Sequence, residues 1–407
     1  VTTRSGLAIA LVLAASGGEL EAAPIPETAL SQSLQVRSEL LRDEASQYLF
    51  PQLAAGTPSA LFGFGASAEQ SVAGAGVRGT LDASSLSFLT QSSVPFATAS
   101  GQSGPTWQVG WARRAGGLRL GVSYAWSVLG DRSRQKVVFG REDSAASTFL
   151  TLAHHQASLG FGWGDDDASI DLVAELRWER LDYQRREVEN RTAPYFRLLD
   201  EVRTKIEGDL MPGVAVRAHA PLGSRARLVG FGSFRETTFD VAQSRHLEIV
   251  GLGGSVEEET SETSQDTGQS WSTGALLEVG ERSRLALHGF WESMREPARH
   301  DPTPDSLPRT RTEIEALRIG VSGAHELAEA TTLHAGWSMT DRREIQVQDV
   351  VFFFPGTQVQ GEQDHFVSHD FGWGATHTFW LLDLTGSATH DLSLGALFLR
   401  LDLRARF

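Results

Sequence analysis

Cysteine is absent from the 407 residues, which excludes disulfides, thiolate metal sites and cysteine nucleophiles together and leaves the redox compartment open. Lysine is almost absent as well. Lys136 and Lys205 are the two lysines, so nearly every positive charge is an arginine, the side chain suited to fixed bidentate pairing with carboxylates. Positive charge is scarce overall: the net charge is −15, and a nucleic-acid partner needs a basic face that this composition does not supply. Long apolar runs are missing too. The run from Leu7 to Ala15 is nine residues. No other window approaches the roughly eighteen that a spanning helix requires, which excludes a helical membrane protein.

What is present at the N-terminus, TTRSGLAIALVLAASGGELEAA, puts one positive charge at Arg4 before that apolar run and small residues after it. This is the layout of a secretory signal peptide, so residues 1–22 are expected to lie outside the fold. Ala22 and Ala23 lack a small residue two positions earlier, and cuts near Ser16 to Gly18 satisfy the small-residue rule better.

From residue 105 onward the chain falls into segments with period-two alternation, the pattern of strands with one apolar face. In LRLGVSYAWSV, Leu118, Leu120, Val122, Tyr124, Trp126 and Val128 share one face, and Arg119, Gly121, Ser123 and Ser127 share the other. Ile170, Leu172, Ala174, Leu176 and Trp178 oppose Asp171, Glu175, Arg177 and Glu179, and the chain closes with Leu397 to Phe407 opposing Arg400, Asp402, Arg404 and Arg406. Further strands are expected near 106–113, 149–163, 209–220, 225–236, 271–280, 283–293, 313–324, 329–339, 366–376 and 379–388, with a weaker one near 81–90.

A soluble sandwich also wets one face of each strand, so alternation alone does not decide between them. The connections do. Short turns at 114–117, 164–167, 221–224 and 280–283 alternate with long polar stretches near 129–148, 184–208, 237–270, 294–312 and 340–365, which are expected to be loops. Such alternation is what an up-and-down barrel shows when one rim faces the periplasm and the other faces outside. Counting strands back from the C-terminus gives an even total of about 14, within a range of 12–16, when the 81–90 segment is included.

Tryptophan favours the membrane–water boundary. Under this topology Trp107, Trp126, Trp178, Trp271, Trp291 and Trp337 fall near the outer rim, and Trp111, Trp163, Trp373 and Trp380 near the inner one, all towards strand ends. The expected fold is therefore all-β: a transmembrane antiparallel barrel over residues 81–407, preceded by a helical and glycine-rich segment over 23–80.

With its signal-like start, alternating strands, loop asymmetry and terminal LFLRLDLRARF, the sequence resembles a porin-like bacterial outer-membrane β-barrel protein. The resemblance implies the outer membrane of a Gram-negative bacterium as location, and outer-membrane lipid, lipopolysaccharide and the barrel-assembly machinery as partners. It also implies that a last strand with alternating apolar residues and a terminal aromatic, here Leu399, Leu401, Leu403 and Phe407, is the assembly signal. In the 23–80 segment, PETALSQSLQVRSELLRDEASQYLF has helical spacing at Leu30, Leu34, Leu41 and Tyr48, as a periplasmic helix or a plug would. The stretch after it, GFGASAEQSVAGAGVRG, is faintly similar to the N-terminal hatch of long-chain fatty acid transporters, themselves 14-stranded.

Motifs that carry chemistry are few. Gly74, Gly76 and Gly79 spell GxGxxG, but the helix and the acidic residue that a dinucleotide site needs do not follow. His365 and His369 share a strand face with their rings about 13 Å apart, too far for one metal ion, and the turn at Asp165 and Asp167 lacks the glycine and distal glutamate of a calcium loop. Neither GxSxG nor HExxH occurs, so no enzyme, cofactor or metal is expected.

The lumen face is the larger constellation. Parity turns Arg119, Asp171, Glu175, Arg177, Arg217, Glu278, Arg318, Asp383, Arg400, Asp402 and Arg404 inward, where a wide barrel would use them to line a wet pore. The stretch VVFFFPG, with Phe352 to Phe354, is too apolar for a solvated tip. The function expected is an outer-membrane channel for small polar solutes. The alternatives are a fatty-acid-transporter-like channel for hydrophobic compounds, or a surface protein that presents loops such as EEETSETSQD without transport.

Overall fold

Strands of one apolar and one polar face cannot rest in lipid with open edges, because every backbone donor and acceptor there needs a partner; closure into a barrel supplies it. The computed structural model describes residues 28–407 except 42, 56, 65–73, 96–102, 140–141, 166–167, 193–194, 209, 252–253, 296–308, 351–356 and 407. The signal-like residues 1–22, Phe352 to Phe354 and Phe407 thus lie outside the described residues.

Among the described residues seventeen strand segments form one sheet. In chain order they are β1 (Ala60–Phe64), β2 (Gly74–Leu81), β3 (Ser84–Pro95), β4 (Ser103–Ala115), β5 (Leu118–Phe139), β6 (Glu142–Gly164), β7 (Ser169–Thr192), β8 (Tyr195–Gly208), β9 (Met211–Pro221) and β10 (Ala226–Gly251). There follow β11 (Gly254–Gly280), β12 (Ser283–Arg295), β13 (Arg309–Ala328), β14 (Thr331–Val350), β15 (Thr357–Phe379), β16 (Leu382–Asp391) and β17 (Ala396–Arg406). Each pairs antiparallel with its neighbours. β8 and β9 are halves of one wall strand, since both lie between β7 and β10. The wall therefore has 16 positions.

Closure runs through β1. It pairs with β17 from Ala60 opposite Arg406 to Phe64 opposite Asp402, and with β2 from Ala60 opposite Arg78 to Phe64 opposite Gly74. All fourteen expected strands are present, and β1 and β2 are two more, so the wall begins inside the segment assigned to residues 23–80. They escape a period-two reading because β2 puts glycine at its inward position 76, where an added Cβ would lie 2.6 Å from both Phe62 and Leu89. The GxGxxG residues thus belong to a wall strand.

The long polar stretches are the second difference. Those near 129–148, 184–208, 237–270 and 340–365 are chiefly strand, not loop, while residues 296–308 of the 294–312 stretch lie outside the described residues: β5, β6, β7, β10 and β11 run 22, 23, 24, 26 and 27 residues, against the roughly 9–11 that cross a bilayer. Paired hairpins continue beyond the membrane because their polar residues sit on strands wet on both faces. The acidic Glu257, Glu258 and Glu259 stand on β11 opposite Glu248, Leu247 and His246 of β10.

Outward positions are apolar and exposed, among them Leu120, Val122, Leu159, Leu172, Val216, Leu287, Leu317, Leu399, Leu401 and Leu403. The side chains of nine of the ten tryptophans are exposed; Trp126 is half-buried. Several stand in mid-strand rather than at strand ends, Trp126 in β5, Trp178 in β7 and Trp271 in β11, because the strands outrun the membrane whose edge the rings mark. A closed antiparallel barrel with such a belt is an outer-membrane β-barrel. No helix among the described residues is long and apolar enough to cross a membrane.

Candidate functional site

The lumen holds the described residues between 28 and 55. The continuous helix expected from Leu30 to Tyr48 is instead one short helix, α1 (Ala29–Leu34), and two 3-10 turns, Glu44–Tyr48 and Pro51–Ala54. Thr28 and Ser31 form a capping box that starts α1. Gln35, at φ 56° and ψ 28°, ends it in the left-handed conformation. The helix stops there because Gln35 is claimed by the wall: its Oε1 accepts from Arg318 Nη2 at 2.8 Å and Ser338 Oγ at 3.2 Å.

That these residues lie inside follows from what they touch. α1 rests on β14, β15 and β16, while the Pro51–Ala54 turn rests on β4, β5 and β6. β5 is the fifth wall position and β14 the thirteenth of 16, so the segment reaches opposite walls and can do so only through the interior. Glycines receive it at both ends. A Cβ on Gly336 would lie 2.2 Å from the Leu34 carbonyl oxygen, one on Gly372 2.3 Å from that of Gln32, and one on Gly121 2.3 Å from the Gln52 amide nitrogen. Inward glycine in a strand marks close backbone approach, and this was the legible signal that sequence reasoning missed.

Between these ends the plug is fastened by wall side chains. Arg217 Nη1 donates to the Leu41 carbonyl at 2.8 Å and to Ser46 Oγ at 3.2 Å, and its guanidinium sits 4.6 Å from the centre of the Phe50 ring. Asp171 accepts from Gln52 at 3.4 Å and pairs with Arg119 at 3.3 Å and Arg217 at 3.8 Å, all three buried. Asp402 accepts from the Ala29 amide at 2.5 Å, and Arg37 of the plug lies 3.8 Å from Glu292 and 4.9 Å from the Phe290 ring. Tyr48 donates to the Thr90 carbonyl at 2.6 Å, and burial pushes its phenol well above the ordinary value. Apolar contact completes the seal: Val36, Leu40, Leu49, Phe50 and Leu53 pack with Leu89, Val173, Val229, Phe231 and Phe290 of the wall.

All eleven charged residues assigned to the pore wall stand on the lumen face, but the structure does not gather them into one lining. Asp171, Arg217, Arg318 and Asp402 bind the plug directly, and Arg119 reaches it through Asp171. Glu175 is buried between Arg235 and Arg177 and accepts from Gln156 at 3.0 Å. Glu278 pairs with Arg227 at 2.5 Å and Arg284 at 3.3 Å, and Asp383 pairs with Arg406 and accepts from Thr378. Arg400 is buried and Arg404 half-buried on β17. Ion pairing of this kind consumes the charge that a hydrated pore would display.

Further out, the lumen face of β6 to β10 becomes apolar. Leu152, Leu181, Ile206, Met211, Phe239 and Val241 form a second buried cluster. It adjoins an interruption in the wall. From Glu207 to Met211 β8 and β9 pass three residues where β7 passes two between Arg180 and Arg177, a bulge that turns Met211 inward and leaves Leu210 exposed on the outside. His365 pairs with Asp341 at 2.8 Å while His369 stacks on Trp337, so the two histidines have separate partners; no grouping that could hold a metal occurs among the described residues.

No family model matches the chain, and no curated protein matches it in sequence. Among solved structures it is similar to the P. putida toluene transporter TodX, at 10% identity over 94% of this chain and 99% of that one with a TM-score of 0.44. The Ralstonia pickettii toluene transporter TbuX is similar at 8% identity over 94% and 98%, TM-score 0.41. The translocator domain of the autotransporter NalP from Neisseria meningitidis is similar at 11% over 72% and 90%, TM-score 0.31. These are likenesses of barrel architecture.

Proposed function

We propose that the barrel is a plugged outer-membrane channel for hydrophobic compounds rather than an open pore for small polar solutes. The observation that carries this reading is the apolar contact between plug and wall: Leu40, Leu49, Phe50 and Leu53 meet Val173, Val229, Phe231 and Phe290 at the level where a solute pore would need water. Polar solutes cross a barrel through a hydrated lumen, and charged residues buried in ion pairs under a plug do not furnish one. An apolar solute, by contrast, loses nothing on leaving water for such surfaces. The second apolar cluster continues this surface outward to the bulge, where Leu210 faces lipid and Met211 faces the lumen.

The test is uptake. Cells that make the barrel should take up a radiolabelled alkylbenzene or long-chain fatty acid faster than cells that lack it, while liposomes holding the purified protein should not swell in small sugars. Rapid swelling in sugars without faster uptake of the apolar probes would sink the reading.

A further inference from the structure

Four inward side chains stand in one row across the wall. Thr106 of β4, Ser127 of β5, His154 of β6 and Glu179 of β7 are directly opposed in register, one from each of four adjacent strands, and all are buried. His154 Nδ1 lies 2.9 Å from Glu179 Oε1. An ionised carboxylate only accepts, so Nδ1 carries the proton and Nε2 is the basic nitrogen. On the other side of His154 are two hydroxyls, Ser127 Oγ and Thr106 Oγ1, neither with a hydrogen-bond partner among the described residues. Buried hydroxyls are nearly always satisfied, so two adjacent ones without partners, beside an imidazole held by a carboxylate, point to a ligand.

Directly opposed residues hold their Cβ atoms about 4.5–5.5 Å apart, close enough for rotation of Ser127 about χ1 to carry Oγ to the imidazole, a contact that is commonly loose until substrate binds. The next inward row is apolar: Leu129, Leu152 and Leu181 oppose one another there and belong to the second cluster, a bed for an acyl chain. We infer that the row is a hydrolytic site for fatty-acyl esters. Ser127 Oγ adds to the ester carbonyl carbon as His154 Nε2 takes its proton, and the Thr106 hydroxyl donates to the carbonyl oxygen as that oxygen gains charge. The ester C–O bond then breaks, His154 returns the proton to the departing alcohol, and the acyl group stays on Ser127. Water, the second reactant, adds to the acyl carbon with His154 again taking the proton, which releases the fatty acid and restores Ser127. No short motif marks the site because each member comes from a different strand. The inference rests on the hydrophobic-passage reading only for the route by which esters arrive. Hydrolysis by the solubilised barrel is measured without passage, so the two readings fail separately.

The intact barrel, purified in detergent, is assayed with p-nitrophenyl palmitate and p-nitrophenyl acetate. It is also labelled with a long-chain alkyl fluorophosphonate, and the modified residue is located by peptide mass spectrometry. The wild type should hydrolyse the palmitate with kcat/KM at least about tenfold above the acetate, since only the long chain reaches the leucines, and should carry the label on Ser127. Ser127→Ala should lose both hydrolysis and label. His154→Ala should lower kcat by about 10²–10⁴ and Thr106→Val by about 10²–10³. Glu179 is a positioning residue, so Glu179→Gln should lower kcat and leave KM unchanged. Ser123→Ala, an inward serine of the same strand outside the row, should match the wild type. A wild type without hydrolysis, a label on another serine, a Ser127→Ala barrel as active as wild type, or an equal loss in Ser123→Ala would each overturn the assignment. The heat-dependent gel shift of the folded barrel confirms that every variant is assembled.

Discussion

The guanidinium of Arg217, on the wall, sits 4.6 Å from the centre of the Phe50 ring, on the plug, and donates to the plug carbonyl of Leu41 at 2.8 Å. One buried side chain thus holds the plug by charge, by hydrogen bond and by ring contact. Replacing it with alanine leaves Asp171 short of a cation and the Leu41 carbonyl short of a donor, at a cost of about 3 kcal/mol for a broken buried pair. Arg217→Ala should raise single-channel conductance in planar bilayers and expose residues 28–55 to protease. A variant as silent and as resistant as wild type would show that the plug does not depend on this contact.

Glycine at the plug's footprints should be indispensable. A Cβ at Gly121 would lie 2.3 Å from the Gln52 amide nitrogen, closer than any rearrangement of a side chain can relieve. Gly121→Val should displace the turn, cost about 1–3 kcal/mol as an overpacked site, and sensitise cells to large hydrophilic antibiotics. Gly130→Ala on the same strand, where nothing lies within 4 Å, is the matched control and should behave as wild type.

Leu401 on β17 faces lipid at 58% exposure. Leu401→Arg carries a charge into the hydrocarbon at a cost of about 2–4 kcal/mol near the midplane, so folded barrel in outer-membrane fractions should fall. Arg404→Ala, on the lumen face of the same strand, should assemble normally. Comparable losses for both would mean that the strand is recognised by composition and not by face.

Tyr48 gives a pH signature. Burial raises its phenol above the ordinary value of 10.0, so the folded state resists its ionisation. Its contribution is fully present below about pH 10 and is lost as pH rises further, because the unfolded chain ionises first. Tyr48→Phe should therefore cost about 1 kcal/mol near neutrality, through loss of the hydrogen bond to the Thr90 carbonyl, and should flatten the decline of melting temperature in alkali. An unchanged alkaline profile would place the titration elsewhere.

The alternation at Leu118 to Val128 was enough to tell which residues face lipid, because period two is a property of the strand itself and the solvent on each side differs. Fourteen strands and the inward turn of Arg119, Asp171, Arg217 and Arg400 were legible for that reason. β1 and β2 were not, since Gly76 replaces the expected side chain to make room for Phe62 and Leu89, and that reason lies in another part of the chain. The stretches near 129–148, 184–208, 237–270 and 340–365 read as loops in the sequence because a polar hairpin beyond the membrane has the composition of a loop and the hydrogen bonds of a sheet.

For the candidate site, the sequence by itself determined that the lumen carries charge, but it set the whole of 23–80 apart from the barrel, although β1 and β2 of that segment are wall strands. Only the tertiary structure decided what the charge is for. Arg217 and Phe50 are 167 positions apart in the chain and in contact in the fold, and no periodicity links a plug to the strand that seats it. Local patterns report the solvent each strand must face. Which buried cation meets which ring depends on closing 16 strands around residues 28–55, and that is settled by packing alone.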